Sequence, residues 1–384
     1  MITLYKYNEI DFSHDGIGIL KDTISCIVER ELNGNWFLNL EYLLQGNKAD
    51  LIKEHCVLKV PTPSGLQLFR IKEIEKDMES VNVYAEHIFL DLAKNFIKDT
   101  NIVAKTRSEA IKQILNSTLN PHKFKYVETD NNTTQKNLRI VRKDGVSALL
   151  GGEDNTVVNR YGGEIDIDNF NISSKDQIGK NTNLIIEYAK NMTGILETVD
   201  MSDVATRIVP QGANELLLPE YFIDSPNIGS YYQPLVAHME FSDVAVVSKD
   251  EATADNPEFS QDQAYAELRR LVKELYDNGI DKPTFTYDIS FIDLSNTVEY
   301  KQLKDMFSLN IGDIVRVKHI DMNLDLDCRI RNYRYNSLIN EFENLQVGTI
   351  KKSISLNIQK VQAEVISTKE DLSNKVTNAP TSLR

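Results

Sequence analysis

Val57-Leu58-Lys59-Val60, a turn at Pro61-Thr62-Pro63-Ser64-Gly65, a run from Leu68 to Ile74 and then Val81-Asn82-Val83-Tyr84-Ala85 read as three short strands joined by turn chemistry. Branched and aromatic residues suit a pleated, half-buried surface, and Pro and Gly supply the backbone angles that reverse the chain. The same order returns far downstream: Ile314-Val315-Arg316-Val317, then Asp327 to Tyr335, then Glu341 to Val347. The offset of about 260 residues is far longer than a solenoid period, so the pattern is that of a duplicated domain rather than an array. The alternative is two common meanders; residue identity between the sets is weak, and strand order is the stronger signal.

Upstream of the first set, Thr23 to Leu32 and Trp36 to Tyr42 flank Asn33-Gly34, a dipeptide suited to the positive φ of a tight hairpin. Trp36, Leu38, Leu40 and Tyr42 alternate onto one face, which predicts a half-buried antiparallel hairpin. Short strands at this spacing predict a small barrel or sandwich over residues 1–98.

Helical signals follow. Thr106-Arg107-Ser108-Glu109 is a capping box ahead of the stripe Ala110, Ile111, Ile114 and Leu115. A shorter helix is expected from Asp144 to Leu150, stopped by Gly151-Gly152, and a longer one from Ser260 to Asn278-Gly279. Near the C-terminus Ile354, Ile358, Val361, Val365, Thr368 and Leu372 fall on steps of four and three, the seam of a short coiled coil; a strand with a frayed tail is the other reading. The expected domains are 1–98, a first β-barrel; 99–208, α+β; 209–349, α+β with the second barrel; and 350–384, a helical or coiled-coil extension. The class is α+β, multidomain and mainly β.

At 384 residues the chain has room for two to four domains. Hydrophobic residues at 41% and charged residues at 26% argue against disorder. No run is long and apolar enough for a membrane helix, and the N-terminus lacks the pattern of a secretion signal, so synthesis in a cytoplasm without membrane insertion is expected. Three scattered cysteines, Cys26, Cys56 and Cys328, fit core positions better than disulfides or zinc. A formal charge of −14 repels phosphates, and no basic stripe interrupts it.

Catalytic grammar is sparse. Asp321 to Asp327 offers alternating oxygens, but Leu326 and Asn332 stand where a calcium loop needs Gly and Glu, and a hairpin with one wet face explains the alternation. Glu164, Asp166 and Asp168 align three carboxylates, either for hydrolysis or as a solvated strand face opposite Ile165 and Ile167. The six histidines form no zinc-peptidase run, there is no nucleophile elbow, and the neighbours His55 and Cys56 point to opposite faces of a strand. Gly16-Ile17-Gly18 meets Lys21 where a dinucleotide fingerprint needs its third glycine. No catalytic, metal or cofactor site is expected.

One stretch is more particular: Leu150-Gly151-Gly152-Glu153-Asp154-Asn155 followed by Asn159-Arg160-Tyr161-Gly162-Gly163-Glu164-Ile165. With Ile208-Val209-Pro210-Gln211-Gly212, and with Ile311-Gly312-Asp313-Ile314-Val315 through Leu345-Gln346-Val347-Gly348, it resembles the siphophage tail-tip hub family, also labelled tail-associated lysin or prophage tail endopeptidase. These proteins are similar to the baseplate hubs of contractile phages. The resemblance covers most of residues 1–349; Tyr161 stands where members usually carry Trp. It implies a homotrimer of chains with two related β-barrel tube domains and α+β insertions. The expected place is the virion tail tip, after synthesis in the bacterial host cytoplasm. Implied partners are a distal tail ring, tape-measure protein, fibres or receptor-binding proteins, and DNA passing without specific binding. Its marks here are Leu150, Gly151, Gly152, Asn159, Arg160, Gly162, Gly163, Glu164, Pro210, Gly212, Gly312 and Asp313. The rivals are a peptidase or cell-wall hydrolase using Glu164, Asp166 and Asp168, and a carbohydrate-binding adhesin with Tyr231 and Tyr232 as a platform.

Overall fold

In the computed structural model, which describes residues 1–151, 155–241, 244–247, 260–292 and 308–349, alternation of apolar side chains is converted directly into sheet. Gly152 and the whole 350–384 segment, with Ile354, Ile358, Val361, Val365, Thr368 and Leu372, lie outside the described residues. The chain forms two units. The first comprises Met1–Val158, Gly163–Thr198 and Phe285 onward through the last strand; the second comprises Asn159–Gly162 and Val199–Thr284.

The first unit opens with β1 (Thr3–Tyr5), β2 (Gly18–Ile19), β3 (Thr23–Glu31), β4 (Trp36–Leu43), β5 (Val57–Thr62), β6 (Gly65–Lys76) and β7 (Ser80–His87). The expected hairpin is β3–β4, and Trp36, Leu38, Leu40 and Tyr42 are all buried on one face. Its turn takes only one left-handed non-glycine residue, Asn33 at φ 53°. Next come β8 (Phe96–Lys105), α1 (Arg107–Asn116), β9 (Lys125–Tyr126), β10 (Lys136–Asp144), α2 (Gly145–Leu150) and α3 (Val157–Tyr161). Thr106 and Glu109 form the expected capping box of α1, and Asp144 caps α2 through Ser147 N. Strands β11 (Glu164–Asp168), β12 (Asn171–Lys175), β13 (Asn181–Glu187) and β14 (Met192–Asp200) carry the chain to the second unit.

There β15 (Arg207–Gly212) lies between β16 (Ile223–Asp224) and β17 (Val236–Phe241). Helix α4 (Gln261–Asp277) starts at a Ser260–Gln263 capping box and packs Leu268, Leu271, Val272 and Leu275 on Ile208, Leu218 and Phe241. Back in the first unit follow β18 (Thr284–Phe291), β19 (Ile314–His319), β20 (Leu324–Asn336) and β21 (Glu341–Thr349).

The expected repeat is visible as topology. One sheet of 13 strands runs β14-β18-β21-β20-β3-β4-β7-β6-β5-β1-β2, with β19 beside β20 and β13 beside β19. The order β3-β4-β7-β6-β5 is thus repeated as β14-β18-β21-β20-β19. The register repeats too: Val57 faces Arg70 and Ile314 faces Arg329. Each long strand is bulged at the matching place, between Ile71 and Glu73 on β6 and between Ile330 and Asn332 on β20. A bulge adds an unpaired residue and bends the strand, so sharing one is stronger evidence of common design than sharing strand order.

The details extend to single bonds. His55 N donates to Ile71 O at 3.0 Å and Ile71 N to Cys56 O at 2.9 Å; Gly312 N donates to Ile330 O at 2.9 Å and Ile330 N to Asp313 O at 2.8 Å. His55 and Gly312 both have positive φ, 65° and 83°. Asp325 and Asp327 lie on β20 of a hairpin, and Arg316 pairs with Asp325 at 2.7 Å, which is the wet-face reading of that acidic run.

Leu271 has no exposed surface. Leu271→Ala is expected to lower stability by roughly 2–5 kcal/mol through the cavity it leaves, seen as a reduced urea midpoint with an unchanged slope.

Candidate structural site at the motif glycines

Gly163, Glu164, Gly312 and Asp313 of the first unit gather around two buried arginines. Arg329 comes from β20 at the position matching Arg70 of β6. Each arginine holds the carbonyl of the left-handed residue beside it: Arg70 Nη1 donates to His55 O and Arg329 Nε to Gly312 O, both at 2.9 Å. Each also pairs with a carboxylate, Arg70 with Asp91 at 2.7 Å and Arg329 with Glu164.

The Arg329 pair is the more enclosed. Its Nη2 donates to Glu164 Oε2 at 2.5 Å and to Ile178 O at 2.7 Å, and Glu164 Oε2 also accepts from Ile178 N at 2.8 Å. Asp313 accepts from Lys180 N at 2.7 Å and Asn310 N at 2.9 Å. Burial pushes the Asp313 carboxyl above its ordinary value, against these two amides. Backbones must approach closely for this network to form. A Cβ on Gly179 would overlap the Gly312 carbonyl, and one on Gly312 would lie 2.9 Å from Ile178 O. Side chains at either position would separate the segments that Arg329 ties together.

Arg107 forms the second knot. It is buried, the first residue of α1, and binds Asp130 at 2.6 Å and Asp176 at 2.9 Å. Burial works against its charge, but the two carboxylates outweigh burial and raise its pKa. Gly163 sits over it at φ 81°, where a Cβ would overlap the guanidinium and approach Lys175 O to 2.7 Å. The Gly-Gly-Glu run therefore serves both knots: Gly163 admits Arg107, and Glu164 neutralises Arg329.

Other marked residues lie elsewhere. Gly151 caps α2, its N donating to Ser147 O at 3.0 Å, and Leu150 joins Ile165, Ile178 and Ile311 around a cavity of about 10 Å³, room for about one water. Asn159, Arg160 and Gly162 fall in the second unit, as do Pro210 and Gly212 of β15. Gly212 is required where a Cβ would come within 2.6 Å of Val244 O. Pro210 lies beyond the short β16 pairing, which covers only Arg207 and Ile208, so its missing N–H breaks no ladder there. Sequence reading overlooked Arg107, Asp130, Ile178, Gly179 and Arg329 as partners. One signal was available: Arg107 shares the helix stripe of Ala110, Ile111 and Ile114, and a charge on an apolar stripe needs a partner.

The three aligned carboxylates are all engaged. Glu164 serves Arg329, Asp166 pairs with Arg30 at 3.0 Å, and Asp168 accepts from Gln67 Nε2 at 2.9 Å. Among the described residues no group of His, Cys, Asp and Glu could hold a metal ion, and no helix is long and apolar enough to cross a membrane.

Residues 180–358 match the family model described as prophage endopeptidase tail. Among solved structures, prophage tail protein gp18 from Listeria monocytogenes EGD-e is similar at TM-score 0.54 and 17% identity, over 95% of this chain and 99% of that one. The chain has the fold of a prophage tail protein. The 43 kDa tail protein of prophage MuSo2 from Shewanella oneidensis is similar at TM-score 0.56 and 14% identity, covering 87% and 94% of the two chains. The tail protein from Neisseria meningitidis MC58 gives 0.57 at 10%, covering 86% and 92%. No curated protein matches in sequence. The resemblance read from the motif residues thus holds for this mainly β tail-protein fold.

Glu164→Gln should destabilise the chain by roughly 3–5 kcal/mol by leaving Arg329 buried and unpaired, and Arg329→Met on top of it should restore part of that loss; chemical denaturation reads both. Gly163→Ala should lower the melting temperature more than Gly162→Ala, whose Cβ position is open. For Asp130, burial tends to raise the carboxyl, but the Arg107 hydrogen bond prevails and holds it below its ordinary value. A carboxyl lowered by folding contributes stability above its unfolded pKa of about 3.9 and loses it as pH falls through the folded value. The urea midpoint of Asp130→Asn should therefore fall less than that of the native chain as pH is lowered below about 4.

Proposed function

We propose that this chain is a structural tail-tip hub that closes the tail tube of a phage or prophage and carries distal elements. The observation that supports this reading is the duplication of strand order, register, bulge and carboxylate-paired arginine within a prophage tail fold. A homotrimer whose chains each contribute two similar strand sets presents six similar contacts, which reconciles threefold and sixfold symmetry. In this reading residues 1–98 form one barrel of the ring, and β13 and β14 together with the strand-rich end of 209–349 form the other. Residues 350–384 would extend below as the trimeric coil. A distal tail ring would dock above, fibres or receptor-binding proteins below, and the tape-measure protein and DNA would pass through. The acidic charge of −14 suits a channel that DNA traverses without counterion-release binding.

The rivals have less support. A hydrolase needs carboxylates whose environments differ enough to separate acid from base, and Glu164, Asp166 and Asp168 are each held by a cation or an amide. An adhesin platform at Tyr231 and Tyr232 loses one member, because the Tyr231 hydroxyl donates to Asp281 O at 2.6 Å while Tyr232 is 83% exposed.

Mass measurement of purified tails is expected to give three copies of the chain per particle, with tails lost when the gene is deleted. Purified chain should leave peptidoglycan and its peptides intact; hydrolysis that disappears in Asp166→Asn/Asp168→Asn would transfer the conclusion to the enzyme.

A further inference from the structure

Within one chain the two strand sets meet at a joint whose counterpart is not made among the described residues. Strand β3 lies along the distal half of β20, Glu31 facing Asn332 and Ile27 facing Asn336. Leu32 N donates to Arg331 O and Ser337 N to Cys26 O, both at 2.9 Å, at the two ends of the joint. β20 can receive β3 there because β19 covers only Leu324 to Arg329 on that side.

Among the described residues, the matching half of β6 has no strand beside it. β5 covers Gly65 to Arg70, and the shared bulge places Glu73, Ile74, Glu75 and Lys76 at the positions of Asn332, Tyr333, Arg334 and Tyr335. Under the joint Tyr333 is 0% and Tyr335 7% exposed. On β6, Glu73, Glu75 and Lys76 are exposed and Ile74 is half-buried. The counterpart of β3 is open as well. β14 ends the sheet, paired with β18 and, among the described residues, with no strand on its other side. Cys26, Val28 and Arg30 of β3 are buried, whereas Leu196 and Val199 of β14 are 62% and 49% exposed.

We propose that β14 of one copy adds to the distal half of β6 of a second copy, repeating between chains the joint that β3 and β20 make within one. The proposal rests on the reading above that copies of this chain close a ring. A second copy is the fitting occupant because one chain presents both halves of the joint on different edges. Such a head-to-tail contact is heterologous, and it makes a ring where the rotation from copy to copy closes. Long open edges left unpaired would invite uncontrolled pairing.

The register follows from contacts already made. Gly194 faces Ser290, an added Cβ lying 3.9 Å from the Ser290 Cβ, and Glu197 bonds the Tyr287 hydroxyl. Both fit one antiparallel register of β14 on β18. Carried through the repeat, it sets Ile74 opposite Val199, Glu75 opposite Thr198 and Lys76 opposite Glu197. An apolar pair and an ion pair meet, as Arg334 and Glu29 pair at 3.3 Å in the joint within the chain, and one like-charge pair, Glu73 with Asp200, falls at the end of β14.

Cysteine cross-linking tests this. Directly opposed residues on paired strands have Cβ atoms about 4.5–5.5 Å apart, near the reach of a disulfide, and the native Cys26, Cys56 and Cys328 are buried. Chains carrying Lys76→Cys and chains carrying Glu197→Cys, distinguishable by mass, are mixed at about 1 mM, a concentration that populates even weak specific complexes, and oxidised. The expected product is a disulfide between the two kinds of chain, located by peptide mapping. Thr198→Glu, which sets a carboxylate opposite Glu75 and diagonal to Glu73 and Asp77, should weaken self-association at least tenfold with unchanged melting, and Ile10→Glu, at an exposed site elsewhere, should not. Assembled chains without the Lys76–Glu197 linkage would overturn the strand pairing and leave the ring reading standing. Chains that stay monomeric and unlinked would also overturn it, and the copy number in purified tails would then decide the ring reading separately.

Discussion

The first unit depends on burying a charge that only a distant segment can neutralise. Arg329 sits on β20, Glu164 opens β11, and the pair is enclosed with Ile178 and Gly312 carbonyls as further acceptors. A lone buried guanidinium is strongly unfavourable, whereas a matched and fully hydrogen-bonded pair is tolerated. The requirement therefore specifies which segments must come together more than it adds net stability. Gly179 and Gly312 make the approach sterically possible, and Asp313 satisfies the amides of Lys180 and Asn310 that the approach would otherwise strand.

A half-buried version of this contact, paired within a short stretch of chain, stands at Arg70, with His55 in place of Gly312 and Asp91 in place of Glu164. Two copies of one solution, each beside a bulged strand, explain why the sets share register although their residues have diverged. A bulge and a left-handed residue are backbone features, and many side chains are compatible with them. The glycine at 312 is demanded by the approach of Ile178, while at 55 the chain carries a histidine at φ 65°. A prophage tail fold built on such a repeat offers similar edges at different places along its sheet, which is the geometric condition for ring assembly.

Much of the local structure was legible in the sequence. The hairpin from Thr23, the capping boxes at Thr106 and Ser260, and the three-strand sets around Val57 and Ile314 all appear at their expected places, because each is governed by period and by turn or cap chemistry within a few residues. The motif glycines were recognisable as unusual, yet their purpose was hidden. Nothing near Gly163 announces Arg107, and nothing near Glu164 announces Arg329.

By itself, then, the sequence determined the strands, the helices, the repeated order and the prophage-tail resemblance, since these rest on short-range periodicity and on motif residues read in line. Only the tertiary structure decided that the two strand sets join through β3 and β20, that the three aligned carboxylates are occupied, and that β14 and the distal half of β6 have no further strand beside them among the described residues. The joint and the engaged carboxylates depend on pairings between segments more than a hundred residues apart, where burial and charge matching choose among partners that local patterning leaves equivalent.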